Sequence, residues 1–258
     1  MPISVKGLRT LDGGDRFYEY DEKRYPSVTT VLKYCIPKPA LSRWMAKLVA
    51  QSAYDSHEEF AALDREKAIK FVLGLADEGK DVKANLGQEV HAYADAMASN
   101  AELPVFSEAA APYIAAYEAF QYDVQPTYVA TELTVFNDTY GYAGTADIYA
   151  VINGKVCVID IKTGSSIWPE VGLQLAAYSR GEFAVRDGQR TEVPVAERGY
   201  VLHLSPAGYE LRRCVIGSAS FNAFVSALDL YNWLREDSKY TIGGLYGAAE
   251  SQDRVQTE

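Results

Sequence analysis

Apolar residues along the first half of the chain recur at helical spacing. Val82, Leu86, Val90, Ala94 and Met97 fall three and four apart, which predicts the core face of a helix within a mostly helical region from Ala40 to Ala98. A second helical stretch runs from about Ala109 to Tyr122 and stops at Gln125-Pro126, because the residue before proline is driven out of the α region. Beyond Pro126 the period changes. TYVATELTVF, GTADIYAVINGKVCVIDIKTG, GYVLHLS and YELRRCVI read as strands, the last two joined by Pro206-Ala207-Gly208. Between the hairpins, Pro169 to Arg180 predicts a helix, with Pro169 in its first turn and Gly181 as C-terminal cap. A last helix, about Ser220 to Arg235, puts Phe221, Phe224, Leu228 and Tyr231 on one face. Near the N-terminus, YEYDEKRYPSVTTVL predicts a strand, a turn and a helix capped by Ser27. The elements add up to one α/β domain over residues 1–245, mainly helical to 125, with a mixed sheet flanked by helices in 126–235 and a polar, frayed tail at 246–258.

Two aspartates and a lysine interrupt the apolar hairpin. Asn153-Gly154 signals a two-residue type I′ turn, since both residues tolerate positive φ. Closure with Ile152 opposite Lys155 sets Tyr149 opposite Val158 and Asp147 opposite Asp160, with Lys162 on the same face. The other face, Ala146, Ile148, Ala150, Ile152, Cys157, Ile159 and Ile161, is apolar. Two carboxylates ~5 Å apart repel by about 3 kcal/mol at an effective dielectric of ~20. Lys162 offsets part of this, and a divalent cation held by both carboxylates would offset more. The plainer alternative is a structural Asp-Lys pair with the other aspartate solvated.

Composition bounds the partners. The chain has 258 residues, 48% hydrophobic and 23% charged, enough for a sizeable core. Its net charge of −10 on its face argues against nucleic acid, and composition alone suggests an acidic protein with no nucleic-acid partner. From Lys23 to Tyr54, however, Lys23, Arg24, Lys33, Lys38, Arg43 and Lys47 occur with no acidic residue, and Tyr34 and Trp44 lie among them as candidate stacking groups. The three cysteines, Cys35, Cys157 and Cys214, form no C-x-x-C pair and read as buried, reduced thiols. No window approaches the ~18 apolar residues of a membrane span, and MPISVKGLRTLDGGD lacks a signal-peptide core, so a cytoplasmic location is expected.

Gly144-Thr145-Ala146-Asp147 followed by Asp160-Ile161-Lys162 resembles the PD-(D/E)xK nuclease superfamily, with Ala146 where the superfamily name has proline. Gly87 to His91 resembles the G-x-x-x-H motif of its RecB-like exonuclease branch, and Gln174 to Tyr178 the Q-x-x-x-Y motif. Tyr25-Pro-Ser-Val-Thr-Thr-Val-Leu32 is similar to a segment of mitochondrial genome maintenance exonucleases and related phage nucleases. The resemblance covers the first two thirds of the chain. It implies a restriction-endonuclease-like core and a metal-dependent DNA exonuclease acting at DNA ends in replication, repair or recombination. An endonuclease of the same superfamily and an inactive DNA-binding protein are the alternatives. One or two Mg²⁺ or Mn²⁺ ions would be held by His91, Asp147, Asp160 and the Ile161 carbonyl, with Glu132 as a further candidate and Glu89 competing for that part. Asp147, Asp160 and Lys162 would be the catalytic set. Gln174, Tyr178, Ser27, Thr29, Lys33, Arg43 and Lys47 would contact DNA, single-stranded or at duplex ends, under an arching N-terminal helical region. A helicase or single-strand annealing protein is the expected partner, and the host cytoplasm the location if the protein is phage-encoded. With three scattered cysteines, no iron–sulfur cluster is expected. His203 has no motif around it and reads as structural.

Overall fold

The structure is a computed structural model that describes residues 3–4, 9–12, 15–186 and 189–243, so the tail at 246–258 lies outside the described residues. In chain order the elements are β1 (Ile3–Ser4), β2 (Arg9–Asp12), β3 (Asp15–Tyr20), β4 (Lys23–Pro26), α1 (Val28–Cys35), α2 (Pro39–Asp55), α3 (His57–Phe60), α4 (Arg65–Ser99) and α5 (Ala111–Val124). There follow β5 (Thr127–Asn137), β6 (Tyr142–Ile152), β7 (Lys155–Lys162), α6 (Glu170–Tyr178), β8 (Phe183–Arg186), β9 (Gln189–Thr191), β10 (Arg198–Ser205), β11 (Gly208–Cys214) and α7 (Ser218–Glu236).

Eight strands form one mixed sheet in the order β11-β10-β7-β6-β5-β8-β9, with β1 added to β5. The β10/β7 and β1/β5 pairs are parallel and the rest antiparallel. Both faces are covered, which explains why β6 and β7 are apolar on both sides. On one face Val158, Tyr149 and Val201 pack with Val28 and Val31 of α1, Leu175 of α6 and Phe224 of α7. On the other, Ile148, Ile159 and Ile161 pack with Val90 and Ala94 of α4 and Tyr117 and Phe120 of α5. Ala146, expected on that second face, belongs to the first cluster. The small sheet β2-β3-β4 packs against β5, β6 and β8, where Tyr18 and Tyr25 meet Phe136, Ala143 and Phe183.

Helix α4 has 35 residues, and its N-terminal half reaches beyond the sheet to pair with α2, whose residues are none of them buried. Val82 is therefore 67% exposed, against the core position its spacing predicts; the buried residues of α4 are Val72 and Ala76 in its first half and Val90, Tyr93 and Ala94 against the sheet. Helix α6 also differs at its ends. Pro169 is the residue before its first turn, and Ser179 is its C-cap. Gly181 serves packing instead, since a Cβ there would lie 2.7 Å from Val135 Cβ. Among the described residues no helix is long and apolar enough to cross a membrane.

Candidate metal centre

The Asn153-Gly154 turn forms, with φ of 51° and 73°, and it sets the expected register from Ile152 opposite Lys155 to Ile148 opposite Ile159. There the pairing stops, one step short of the expected Asp147/Asp160 pair. The ladder on the other side of β6 is interrupted at the same place, passing from Thr131/Ile148 to Leu133/Ala146. Glu132, the residue skipped, has a φ of +46°, a strained conformation for a non-glycine residue inside a strand. Asp147 thus sits in a gap of two ladders. Its Oδ2 accepts the Ile161 amide proton at 2.7 Å, a side chain standing in for a backbone acceptor.

Helix α4 brings His91 to this gap. Its Nε2 donates to the Ile161 carbonyl at 3.2 Å and its Nδ1 lies 3.6 Å from Asp147 Oδ2. Gly87, one turn earlier, makes the approach feasible, because a Cβ there would meet Thr163 Oγ1 at 3.2 Å. His91, Glu132 and Asp147 offer ligand atoms within 4.8 Å of one another. Glu89 faces elsewhere and accepts the Ser107 amide proton at 2.7 Å, so the competition between the two glutamates resolves to Glu132.

This donor set fits a divalent cation. Donors sharing an octahedral ion at ~2.1 Å lie about 3 Å apart when adjacent and about 4 Å apart when opposite, so the ligand atoms of His91, Glu132 and Asp147, within 4.8 Å of one another, are near the spacing one ion needs. One imidazole with carboxylates and a carbonyl suits Mn²⁺ as well as Mg²⁺. Electrostatics agree. Burial, then the charge of Asp147, push the Glu132 carboxyl up to about 7, with His91 opposing. Clustered acids without a cation carry that cost.

Asp160 stands outside this set of three. It is buried, its Oδ1 accepts from Gln174 Nε2 at 2.6 Å, and its Oδ2 pairs with Lys162 Nζ at 2.6 Å. Burial raises its pKa most, Lys162 opposes and Asp147 adds to the rise. For Lys162 burial acts downward, but Asp160 and Asp147 outweigh it and the net shift is upward, so the ammonium stays charged.

Gln174 and Tyr178 are buried, and Gln174 Nε2 also meets the Tyr178 hydroxyl, at 3.1 Å. The face expected against DNA is turned inward and holds Asp160. Ser27 is buried too, accepting the Thr30 amide proton as cap of α1 at 3.0 Å. Thr29, Lys33, Arg43 and Lys47 are exposed. Three of the six basic residues of the stretch meet acids from distant segments: Lys23 with Asp138 at 3.8 Å, Lys33 with Asp15 at 3.3 Å and Lys38 with Glu170 at 2.9 Å. The candidate stacking aromatics are engaged as well, Trp44 beneath Lys83 at 4.9 Å and Tyr34 beside Tyr231 at 5.9 Å. His203 donates to the Gly164 carbonyl at 2.6 Å and so holds the loop that follows Lys162.

No family model matches the chain, and no curated protein matches it. Among solved structures it is similar to one described as "Crystal structure of SSO0001", with a TM-score of 0.32 and 16% identity over 75% of this chain and 76% of that one. A likeness of that size carries no argument about fold or function.

Proposed function

We propose that the protein is a metal-dependent deoxyribonuclease that hydrolyses phosphodiester bonds at DNA ends. The observation that carries the reading is the convergence of His91, Glu132, Asp147 and the Ile161 carbonyl beside the Asp160–Lys162 ion pair. A divalent cation held by His91, Glu132, Asp147 and the Ile161 carbonyl would supply Lewis acidity toward a phosphoryl oxygen and make water more acidic near neutral pH.

The remaining work falls to the chain itself. Lys162, charged and 39% exposed, is a donor to negative charge developing on the phosphate, not a base. Asp160 fixes its ammonium from the buried side, and Gln174 fixes Asp160. Ile161 links the two halves, because its amide orients Asp147 and its carbonyl faces His91.

The test is digestion of end-labelled linear and closed circular DNA in Mg²⁺, Mn²⁺ and EDTA, beside Lys162→Ala. Loss of linear DNA alone, dependent on metal and abolished by the substitution, is the expected result. Cleavage of closed circles would make the enzyme an endonuclease. Binding without cleavage of any substrate would leave a DNA-binding protein.

A further inference from the structure

Strand β3 presents its residues to opposite sides. Asp15 turns toward α1 and α7, pairing with Lys33 at 3.3 Å and Arg235 at 3.1 Å, and Phe17 lies on that side beneath the Arg235 guanidinium at 5.6 Å. Arg16 and Tyr18 turn the other way. The Tyr18 hydroxyl reaches Thr145 Oγ1 at 2.9 Å, two residues before Asp147. Tyr20, on the same side, meets Phe136 and Phe183, and Tyr18 meets the Thr134/Thr145 rung, so Arg16 is the β3 residue directed along that face toward the next rung, Glu132 and Asp147. Arg16 is half-buried on this face, and among the described residues its guanidinium forms no ion pair with a carboxylate.

Its mount is rigid. The Arg16 amide donates to Thr30 Oγ1 at 3.0 Å, and its carbonyl accepts from the Ser27 amide at 3.0 Å and the Thr30 hydroxyl at 3.2 Å. Ser27 and Thr30 also bond each other as the first turn of α1. The Pro-Ser-Val-Thr-Thr segment therefore clamps both peptide groups of Arg16. An arginine on a fixed backbone keeps its planar fork aimed, and loses less freedom when it binds.

A cluster of carboxylates repels a polyanion unless a positive group stands beside it. We propose that Arg16 receives a phosphate of the substrate strand at the rim of the metal centre, with its fork on two non-bridging oxygens. The proposal rests on the nuclease reading above, and it gives the buried Ser27 a part: its hydroxyl holds Thr30, whose own hydroxyl bonds both peptide groups of Arg16.

The test compares wild type, Arg16→Gln and Arg16→Lys in the full-length protein on a single-stranded oligonucleotide. Binding is measured across salt in Ca²⁺, and turnover in Mn²⁺. Removing one phosphate contact lowers the slope of log affinity against log salt by about 0.7 on single strands. Turnover of Arg16→Gln falls by about 100-fold. Arg16→Lys keeps the salt slope and recovers part of the turnover, which loss of a merely structural bond would not produce, and its retained charge covers the case in which the glutamine variant folds poorly. An unchanged slope in Arg16→Gln overturns the assignment whatever the activity. A wild type that cleaves nothing, with the slope still reduced in Arg16→Gln, overturns the nuclease reading and leaves the phosphate contact standing. A wild type that neither binds nor cleaves overturns both.

Discussion

The amide of Ile161 donates to Asp147 Oδ2 at 2.7 Å across the point where β6 and β7 cease to pair. A carboxylate has replaced the next rung of the ladder. The strands stay close enough to exchange that one bond, yet open enough for His91 to reach the Ile161 carbonyl. Asp147→Asn keeps the shape and an acceptor for the amide while removing the charge. It should fold, with thermal stability in the absence of metal equal to or above wild type, because a like charge beside Glu132 is gone. Its melting temperature should no longer rise with Mn²⁺, and hydrolysis should fall by roughly 100-fold or more. Parallel melts with and without metal decide this, and a full metal response in the variant would remove Asp147 from the ligand set.

A pH dependence follows from Glu132, whose carboxyl is pushed up to about 7 by burial and by Asp147. An unfolded glutamate titrates near ~4.3, so between that value and about 7 the folded protein holds a proton the unfolded chain has lost. Stability of the metal-free protein therefore declines as pH rises through this window. Metal binding displaces the same proton, so the stabilisation by Mn²⁺ should be small at pH 5 and large at pH 8. The comparison is the melting temperature of wild type minus that of Glu132→Gln at both pH values. A difference that does not change with pH would show that Glu132 does not carry the proton.

The hairpin was legible because its register depends on two adjacent residues, Asn153 and Gly154, whose conformation is a local property. So was the Ser27 cap. What the chain pattern does not carry is the end of the ladder. The alternation that aligns Asp147 with Asp160 assumes continued pairing, and the pairing ends at the level where Glu132, on a third strand, stands at positive φ. Three of the six basic residues between Lys23 and Lys47 meet Asp138, Asp15 and Glu170, acids from distant segments that the local run does not reveal. Arg16 lies outside that stretch, and its peptide groups are bonded by Ser27 and Thr30, a contact between distant segments that no local pattern shows.

Gly144 tests how tightly the second motif is packed. A Cβ there would stand 2.5 Å from Tyr178 Cε1 and 3.2 Å from Val28 Cγ2. The Tyr178 ring is buried and has no free space to enter. Gly144→Ala should cost about 1–3 kcal/mol, the usual range for overpacking a core. It should also slow hydrolysis, because a displaced Tyr178 pulls on Gln174 and through it on Asp160. Denaturant unfolding gives the first quantity. A variant as stable and as active as wild type would mean that the ring moves at no cost and holds nothing.

Gln174 is where burial and chemistry meet. Its amide nitrogen donates to Asp160 Oδ1 at 2.6 Å, and the other oxygen of Asp160 faces Lys162 at 2.6 Å. Gln174→Leu leaves a buried carboxylate oxygen without its donor, at a cost of about 1–3 kcal/mol. The charged form of Asp160, already disfavoured by burial, becomes less favourable still, so its pKa moves further up. If ionised Asp160 is what holds the Lys162 ammonium, the acid limb of the pH–rate profile must move to higher pH in Gln174→Leu. The Lys162→Ala background separates this from general damage. There the lysine that Asp160 orients is absent, so adding Gln174→Leu should cost little further activity. Equal losses in both backgrounds would place Gln174 in stability alone.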